Sequence, residues 1–301
     1  MIESHRLVGS AMVLGEGPVR LDGSTYACVD IRRGSVHTGD LDGGFDTRAT
    51  FDTTVSAVFP CEDGSLVAAV GTTLVLLDGH QSVEIAVAHP TVRLNDGKPD
   101  PTGRIVVGSM ADPPVPGAGS LFSVENGEAR PLVDDLTISN GLCWSSDGET
   151  MFHVDTPTGT IRAFDYDLAT GDVSGGRSVV EIGHDVGMPD GLTIDADGGL
   201  WVALWGGSAV HRYDGARLSE VVEVPTPYVT CPVFAGLAGD VLVVTTASEP
   251  NPGERGAGDV YVCQPGVVGA RSSRARIDTV FGSHRSPSTV EESTPARDVD
   301  R

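Results

Sequence analysis

Four β-strands separated by three turns can be identified in residues 140–182, NGLCWSSDGETMFHVDTPTGTIRAFDYDLATGDVSGGRSVVEI. The turns contain glycine, as in Asp147-Gly148, and such groups between apolar runs are typical of hairpins and loops. Residues that favour β-structure lie between the turns, and no helical period of 3.6 residues connects them. The predicted strands are 140–145, 150–155, 160–165 and 177–182.

The same unit recurs along the chain. The turn glycines that precede an apolar run are Gly23, Gly64, Gly103, Gly148, Gly198 and Gly239. Their spacings are 41, 39, 45, 50 and 41 residues, close to the roughly 40–50 residues of a four-stranded propeller blade. We therefore predict an all-β fold, a six-bladed β-propeller with four-stranded antiparallel blades around a central channel.

The repeats predict one domain and a tail. The propeller with its channel is predicted to occupy residues 1–270, and residues 271–301 are predicted to form a mobile tail. The tail is rich in Arg, Ser and Thr and has few large apolar side chains. Such a composition cannot supply the core of another blade.

Composition and charge restrict the partners. The protein has 301 residues and a formal net charge of −22, from 42 acidic and 20 basic side chains. A surface of this sign repels phosphate, so we expect neither a nucleic-acid nor a membrane partner. The five cysteines are far apart and include no CxxC pair, which favours a reducing cytoplasm over a disulfide framework. We expect a cytoplasmic protein that is a monomer or a weak homo-oligomer.

The repeat also predicts which residues line the channel. The innermost strand of each blade faces the channel, so equivalent residues of the six repeats meet in a ring. Counting back eight residues from each turn glycine, or seven in the first repeat, gives Glu16, Ser56, Asn95, Asn140, Asp190 and Cys231. Since none of these side chains is strongly apolar, we predict a largely polar ring.

Three ring members, Glu16, Asn140 and Asp190, provide two carboxylates and an amide oxygen. Hard oxygen donors of this kind suit Ca²⁺, Mg²⁺ or Mn²⁺. An alternative is that Asn140-Gly141 and Asp190-Gly191 are simply hairpin turns, which these dipeptides commonly form. Because the two dipeptides fall at matching offsets in separate repeats, each ahead of its own later turn, we favour a channel site.

Several motifs between residue 14 and about residue 270 resemble those of a known protein family. The most specific motifs are LGEGP (14–18), RLNDGK (93–98), ISNGL (138–142), PDGL (189–192) and LWVA (200–203). On these motifs the sequence resembles the regucalcin/gluconolactonase family, which includes senescence marker protein and bacterial sugar lactonases. The resemblance implies a six-bladed propeller with one divalent metal ion in the channel, with Ca²⁺, Mg²⁺, Mn²⁺ and Zn²⁺ as the candidates.

The resemblance further implies roles for single residues. It implies that Glu16, Asn140 and Asp190 hold the metal, and that Asp190 is also the catalytic base. It implies that Arg93 and Asn95 contact the substrate. The alternatives that need no ligand are a rim salt bridge to one of the many acids for Arg93 and an Asx turn for Asn95.

This residue set suits the hydrolysis of a lactone. A divalent ion can polarise the lactone carbonyl and a carboxylate can activate water, so no serine nucleophile is needed. We therefore predict a hydrolase that opens a sugar lactone, an aldonolactone, to the aldonic acid. Animal family members have a longer loop whose glutamate reaches the substrate. Here residues 111–116 are shorter, and Asp112 is the nearest acid and a candidate substrate contact.

Two other functions stay open at this level. A noncatalytic, calcium-binding regulatory propeller would use the same ligands without needing Arg93 and Asn95. A related metal-dependent hydrolase of esters or phosphotriesters would require a more apolar pocket. The sequence contains no serine-hydrolase elbow, Walker loop, dinucleotide fingerprint or zinc-protease helix motif. His153 lies in an apolar strand and is expected to be a core residue.

Overall fold

A computed structural model describes residues 1–87 and 90–282. Within these residues the strands form six sheets, each with four antiparallel strands, and one sheet carries a fifth strand at its edge. Most strands follow one another in sequence from the channel outward. The predicted six-bladed β-propeller is therefore confirmed.

The strands are numbered in chain order. Two short strands, β1 (Ile2–Glu3) and β2 (His5–Val8), precede the first blade. Blades 1 to 3 contain β3 (Gly15–Arg20), β4 (Thr25–Asp30), β5 (Ser35–Asp40), β6 (Phe45–Thr50); β7 (Val55–Pro60), β8 (Leu66–Val70), β9 (Thr73–Leu76), β10 (Ser82–Glu84); β11 (Val92–Pro99), β12 (Ile105–Ala111), β13 (Gly119–Glu125) and β14 (Glu128–Leu136). Blades 4 to 6 contain β15 (Ser139–Trp144), β16 (Thr150–Asp155), β17 (Thr160–Tyr166), β18 (Val173–Glu181); β19 (Met188–Ile194), β20 (Leu200–Trp205), β21 (Ala209–Asp214), β22 (Arg217–Glu223); β23 (Val229–Ala235), β24 (Val241–Thr246) and β25 (Val260–Cys263). A 3-10 turn covers Thr156–Thr158, and a short helix, α1, covers Ile277–Phe281.

The core lies between neighbouring blades. Inner strands are packed on both faces, so β7 and β12 are apolar in long runs and almost fully buried. Outer strands such as β18 are mostly exposed. Side chains of adjacent blades meet in shared clusters, as where Val154 of blade 4 packs in one cluster with Leu192 of blade 5. The blades thus hold the six innermost strands in fixed positions around the channel.

The N-terminal strands close the ring of blades. β2 pairs antiparallel with β25, with His5 opposite Val262, and forms the outermost strand of blade 6. β1 pairs parallel with β22 of blade 5, with Ile2 opposite Val222. The first and last parts of the propeller are therefore hydrogen-bonded to each other.

The chain after β25 crosses the end of the channel at which the innermost strands finish. The Ala270 amide donates to the Ile194 carbonyl of blade 5 (3.1 Å), and the Ala275 amide donates to the Pro60 carbonyl of blade 2 (2.8 Å). Ile194 and Pro60 are the last residues of their innermost strands. Because blades 2 and 5 are opposite each other, residues 270–275 span this end of the channel.

Residues 264–282, which we call the C-terminal strap, end on blade 3. The amide of Gly127 donates to the carbonyl of Val280 (2.8 Å), and the Val280 side chain is fully buried. The sequence placed residues 271–282 in the tail because their composition is polar, which does not reveal backbone hydrogen bonds to the blades. The rest of the predicted tail, residues 283–301, lies outside the described residues. In the part of the chain that is described, no helix is long and apolar enough to cross a membrane.

Candidate functional site

The six predicted ring residues all lie on innermost strands. They are Glu16 on β3, Ser56 on β7, Asn95 on β11, Asn140 on β15, Asp190 on β19 and Cys231 on β23. All six are buried, with between 0% and 6% of their surface exposed. A shift of register interrupts each of these strands at or beside the ring residue. The same irregularity therefore recurs in every blade at the level of the ring. Bulges of this kind change the direction of side chains.

Asn140-Gly141 and Asp190-Gly191 are not hairpin turns, because both dipeptides lie inside strands. Their glycines allow neighbouring innermost strands to approach closely. A Cβ atom on Gly141 would lie 2.4 Å from the Asp190 carbonyl oxygen, and one on Gly191 would lie 2.4 Å from Cys231 Sγ. The motif that resembles a turn signal therefore reflects strand packing at the channel.

Asn140 and Asp190 contact each other across the boundary of blades 4 and 5. Asn140 Nδ2 donates to Asp190 Oδ1 and to Thr156 Oγ1, the latter at 3.0 Å. Among the described residues Asn140 Oδ1 has no hydrogen-bond partner although it is buried. Glu16 Oε2 accepts a hydrogen bond from the Gly17 amide (2.7 Å). An amide oxygen and two carboxylates are thus left with acceptor capacity in the channel.

The channel carboxylates repel one another. Burial raises the pKa of Glu16 well above its ordinary value, and the charges of Asp190 and Asp96 raise it further. The pKa of Asp190 is also raised well above its ordinary value, first by burial and then by Asp96, while the Asn140 hydrogen bond opposes the shift. Buried charges of one sign require a compensating cation or a proton.

Asp96 and Lys98 also belong to this site, although neither is among the site residues predicted from the sequence. Asp96 is 3% exposed, and burial raises its pKa while Lys98 lowers it. Lys98 Nζ donates to the carbonyl oxygens of Leu142 (2.9 Å) and Leu192, so it lies between the innermost strands of blades 4 and 5. Two features of the sequence could have pointed to these residues. Lys98 is the only lysine of the chain, and both residues closely follow the ring residue Asn95.

Arg93 and Asn95 form one hydrogen-bonded unit. Arg93 Nη1 donates to Asn95 Oδ1 (2.7 Å), and Asn95 Nδ2 donates to the Ser139 carbonyl (3.0 Å). The Asx contact to the Gly97 amide comes from Asp96 Oδ1 (2.7 Å), so Asn95 does not supply that turn. Arg93 is 7% exposed, and the salt bridge expected as its alternative role is present as its pair with Asp112.

Asp112 lies just beyond β12 and joins this unit. Its Oδ2 atom is 3.5 Å from Arg93 Nε and accepts a hydrogen bond from Arg32 of blade 1. Burial acts to raise the pKa of Asp112, but the guanidinium groups of Arg32 and Arg93 lower it below its ordinary value. Asp112 is therefore a charged carboxylate between two arginines.

The predicted ligand set fits a hard divalent cation. Glu16, Asn140 and Asp190 offer two mutually repelling carboxylates and one buried, unpartnered amide oxygen within the described residues, and oxygen donors of this type suit such an ion. Across residues 1–87 and 90–282, no group of three or more His, Cys, Asp or Glu side chains is placed to hold a metal. The predicted set would rely on an asparagine oxygen in place of a third such side chain.

All five cysteines belong to the described residues, and each is a free, buried thiol. Burial raises the pKa of Cys231, and the carboxylates of Asp96 and Glu16 raise it further, so this channel thiol stays protonated. A protonated thiol is a poor nucleophile and a poor metal ligand.

Comparison with known proteins identifies relatives of this chain. The family model described as "SMP-30/Gluconolactonase/LRE-like region" matches residues 14–248. Regucalcin of Homo sapiens is 36% identical over 216 residues, which cover 67% of this chain and 72% of the human protein. YvrE of Bacillus subtilis (strain 168), provisionally named a sugar lactone lactonase, is 34% identical over 247 residues, covering 79% of this chain and 84% of YvrE.

Solved structures with the same architecture also match. The calcium-binding protein regucalcin of Agrobacterium tumefaciens superposes with a TM-score of 0.82 at 27% sequence identity. The superposition covers 91% of this chain and 98% of the Agrobacterium chain.

Proposed function

The chain belongs to the SMP-30/gluconolactonase/LRE-like family, and from this premise we propose that it hydrolyses a sugar lactone to the aldonic acid with the help of one divalent metal ion. The proposal rests on a buried polar ring in which Glu16 and Asp190 meet the Oδ1 atom of Asn140, which has no hydrogen-bond partner among the residues that the structure describes. A lactonase activity also agrees with the name of the Bacillus subtilis relative.

Glu16, Asn140 and Asp190 would hold the ion through their oxygen atoms. When bound, a divalent ion withdraws electrons from the lactone carbonyl and neutralises part of the repulsion between the carboxylates. Oxygen ligands accept Ca²⁺, Mg²⁺, Mn²⁺ and Zn²⁺, so the physiological ion depends on its availability in the cell.

Asp190 is the proposed general base. Its Oδ1 atom accepts the Asn140 hydrogen bond, which leaves Oδ2 to take a proton from the water that attacks the carbonyl carbon. Burial and neighbouring charges raise its pKa from the ordinary carboxylate range, and a base is most effective when its pKa approaches the working pH.

Arg93, Asn95 and Asp112 are the proposed substrate contacts. Arg93 and Asn95 already hold each other in one geometry, and a preorganised pair loses little freedom when a sugar binds. The guanidinium of Arg93 can donate to sugar hydroxyls or the ring oxygen, and Asp112 can accept from a hydroxyl. We further expect a cytoplasmic protein, because the thiols are free, and we expect it to be a monomer or a weak homo-oligomer.

The test measures acid release from five- and six-membered aldonolactones by chelator-treated protein, with each of the four ions added back. We expect metal-restored turnover, and we expect Asp190→Asn to lower kcat at least about a hundred-fold. Ser56→Ala is the matched control, because Ser56 belongs to the same ring but has no assigned role.

The other functions predict different results. Tight metal binding without turnover of any lactone would favour a noncatalytic calcium-binding propeller. Turnover of aryl esters or phosphotriesters alone would favour the related hydrolase. Equal activity of the wild type and Asp190→Asn would reject the proposed base.

A further inference from the structure

Ion pairs connect three blades beside the proposed substrate contacts. Arg32 Nε lies 3.0 Å and 3.2 Å from the two carboxylate oxygens of Glu249, and Arg32 Nη1 donates to Asp112 Oδ2. Asp112 in turn lies 3.5 Å from Arg93 Nε. We call Arg32, Arg93, Asp112 and Glu249 the mouth cluster. One arginine therefore holds two carboxylates that come from different blades.

The topology places this cluster at the end of the channel where the ring residues lie. Arg32, Asp112 and Glu249 each follow the second strand of a blade, namely β4, β12 and β24. Second strands run antiparallel to the innermost strands, so they finish where the innermost strands begin. Glu16 is close to the start of its innermost strand. The opposite end is the one that the C-terminal strap crosses.

The Arg32–Asp112 pair crosses part of the channel mouth, whereas the Arg32–Glu249 pair joins the neighbouring blades 1 and 6 at its edge. Blade 2 lies between blade 1, which carries Arg32, and blade 3, which carries Asp112. The neighbouring Arg33 differs, because it donates to the Ala11 carbonyl (2.9 Å) and pairs with Asp30 of its own blade (3.2 Å). Arg33 thus supports blade 1, whereas the carboxylates that Arg32 contacts belong to blades 3 and 6.

From these contacts, and resting on the proposed lactonase function, we propose that Arg32 is a specificity-determining residue. Its ion pairs with Asp112 and Glu249 narrow the channel mouth, so that a small unsubstituted lactone reaches the ring and a lactone with a bulky substituent does not.

These ion pairs are weak enough for the mouth to open for a substrate. The side chains of Arg32, Asp112 and Glu249 are 35%, 30% and 31% exposed. Ion pairs this exposed are weak and are screened by salt. The selectivity that they impose therefore decreases as ionic strength rises. Lysine cannot reproduce the forked contact to two carboxylates, so Arg32→Lys retains the charge but weakens the bridge.

The experiment compares two substrates, an unsubstituted aldonolactone and its 6-O-acyl derivative, in wild type, Arg32→Met and Arg32→Lys. The matched control is Arg177→Met, which removes an exposed ion pair to Asp165 on the outside of blade 4. Both kcat and KM are measured at low and high salt, and circular dichroism checks that each variant is folded.

We expect Arg32→Met to raise the preference for the acylated substrate about ten-fold, chiefly through a lower KM for that substrate. Its kcat on the unsubstituted lactone should stay within about two-fold of wild type, because Arg32 is not expected to act in the chemical step. Arg32→Lys should be intermediate, and Arg177→Met should match the wild type. High salt should move wild-type selectivity toward that of Arg32→Met and leave the variant unchanged.

An active wild type whose selectivity is unchanged by Arg32→Met would overturn this inference and leave the proposed function standing. A wild type that hydrolyses no lactone with any ion would overturn the proposed function, and this inference with it.

Discussion

His153 shows how a single buried residue makes the stability of the fold depend on pH. It lies on β16 and is 1% exposed, which confirms its expected place in the core. Its Nε2 atom is 2.9 Å from Ser139 Oγ, next to the ring residue Asn140. Burial lowers the pKa of His153 to about 3, with a smaller contribution from the positive charge of Arg162. The imidazole is therefore neutral in the folded protein.

The predicted consequence is a loss of stability in acid. Between the ordinary histidine pKa of 6.5 and the folded value of about 3, the unfolded chain binds a proton that the folded chain does not. The free energy of unfolding then falls as pH decreases through this window, by up to about 1.4 kcal/mol per pH unit from this group. Urea unfolding at several pH values measures the slope.

His153→Gln removes this titration and should make the free energy of unfolding less steep in pH below about 6.5. The control is His184→Gln, because His184 is exposed. The interpretation is wrong if the slopes of wild type and His153→Gln coincide.

Single residues differ in how far the sequence predicts them. The ring residues follow from the repeat, because an equivalent position in each blade faces the same channel. Arg32 does not, since its partners Asp112 and Glu249 are 80 and 217 residues away in the chain. A local sequence pattern cannot reveal contacts between loops of separate blades.

At the scale of elements, the pattern predicts the middle strands of a blade better than its outermost strand. The predicted strand 150–155 coincides with β16, and the predicted strand 160–165 lies within β17, which ends one residue later. The outer strand predicted at 177–182 instead runs from Val173 to Glu181. Edge strands are half exposed and carry a weaker apolar pattern, so their bounds depend on pairing with the neighbouring strand.

The C-terminal strap is the element whose removal should affect stability most clearly. A chain that ends after Ala270 loses the Ala275 hydrogen bond to Pro60 and the buried Val280 side chain. Removing buried apolar surface costs free energy, so we expect a melting temperature several degrees lower, as measured by calorimetry.

The control for the strap ends after Gly282, and keeps every strap contact described above. Its melting temperature should equal that of the full chain. If the chain ending after Ala270 also melts like the full chain, strap residues 271–282 contribute nothing to stability, and their polar composition was the better guide.

At the scale of the whole molecule, three of the connections between blades are β2, the strap and the ring. β2 completes blade 6 on the outside, and the strap connects blades across one end of the channel. The third connection is the ring, in which Glu16 of blade 1 faces Asp190 of blade 5. Their raised pKa values, due first to burial and then to neighbouring carboxylates, mean that the ionised carboxylates oppose folding unless a cation or a proton compensates their charge.

A divalent ion should therefore stabilise the whole propeller. At a hundred times its Kd the ion adds about 2.7 kcal/mol, which corresponds to a rise in melting temperature of roughly 5 °C that a chelator reverses. Glu16→Gln should have two opposite effects, measured by calorimetry with and without the ion. It should raise the melting temperature of the metal-free protein, because a repelling buried charge is lost, and it should shrink the gain from the ion, because a ligand is lost. An unchanged gain in Glu16→Gln would reject Glu16 as a ligand.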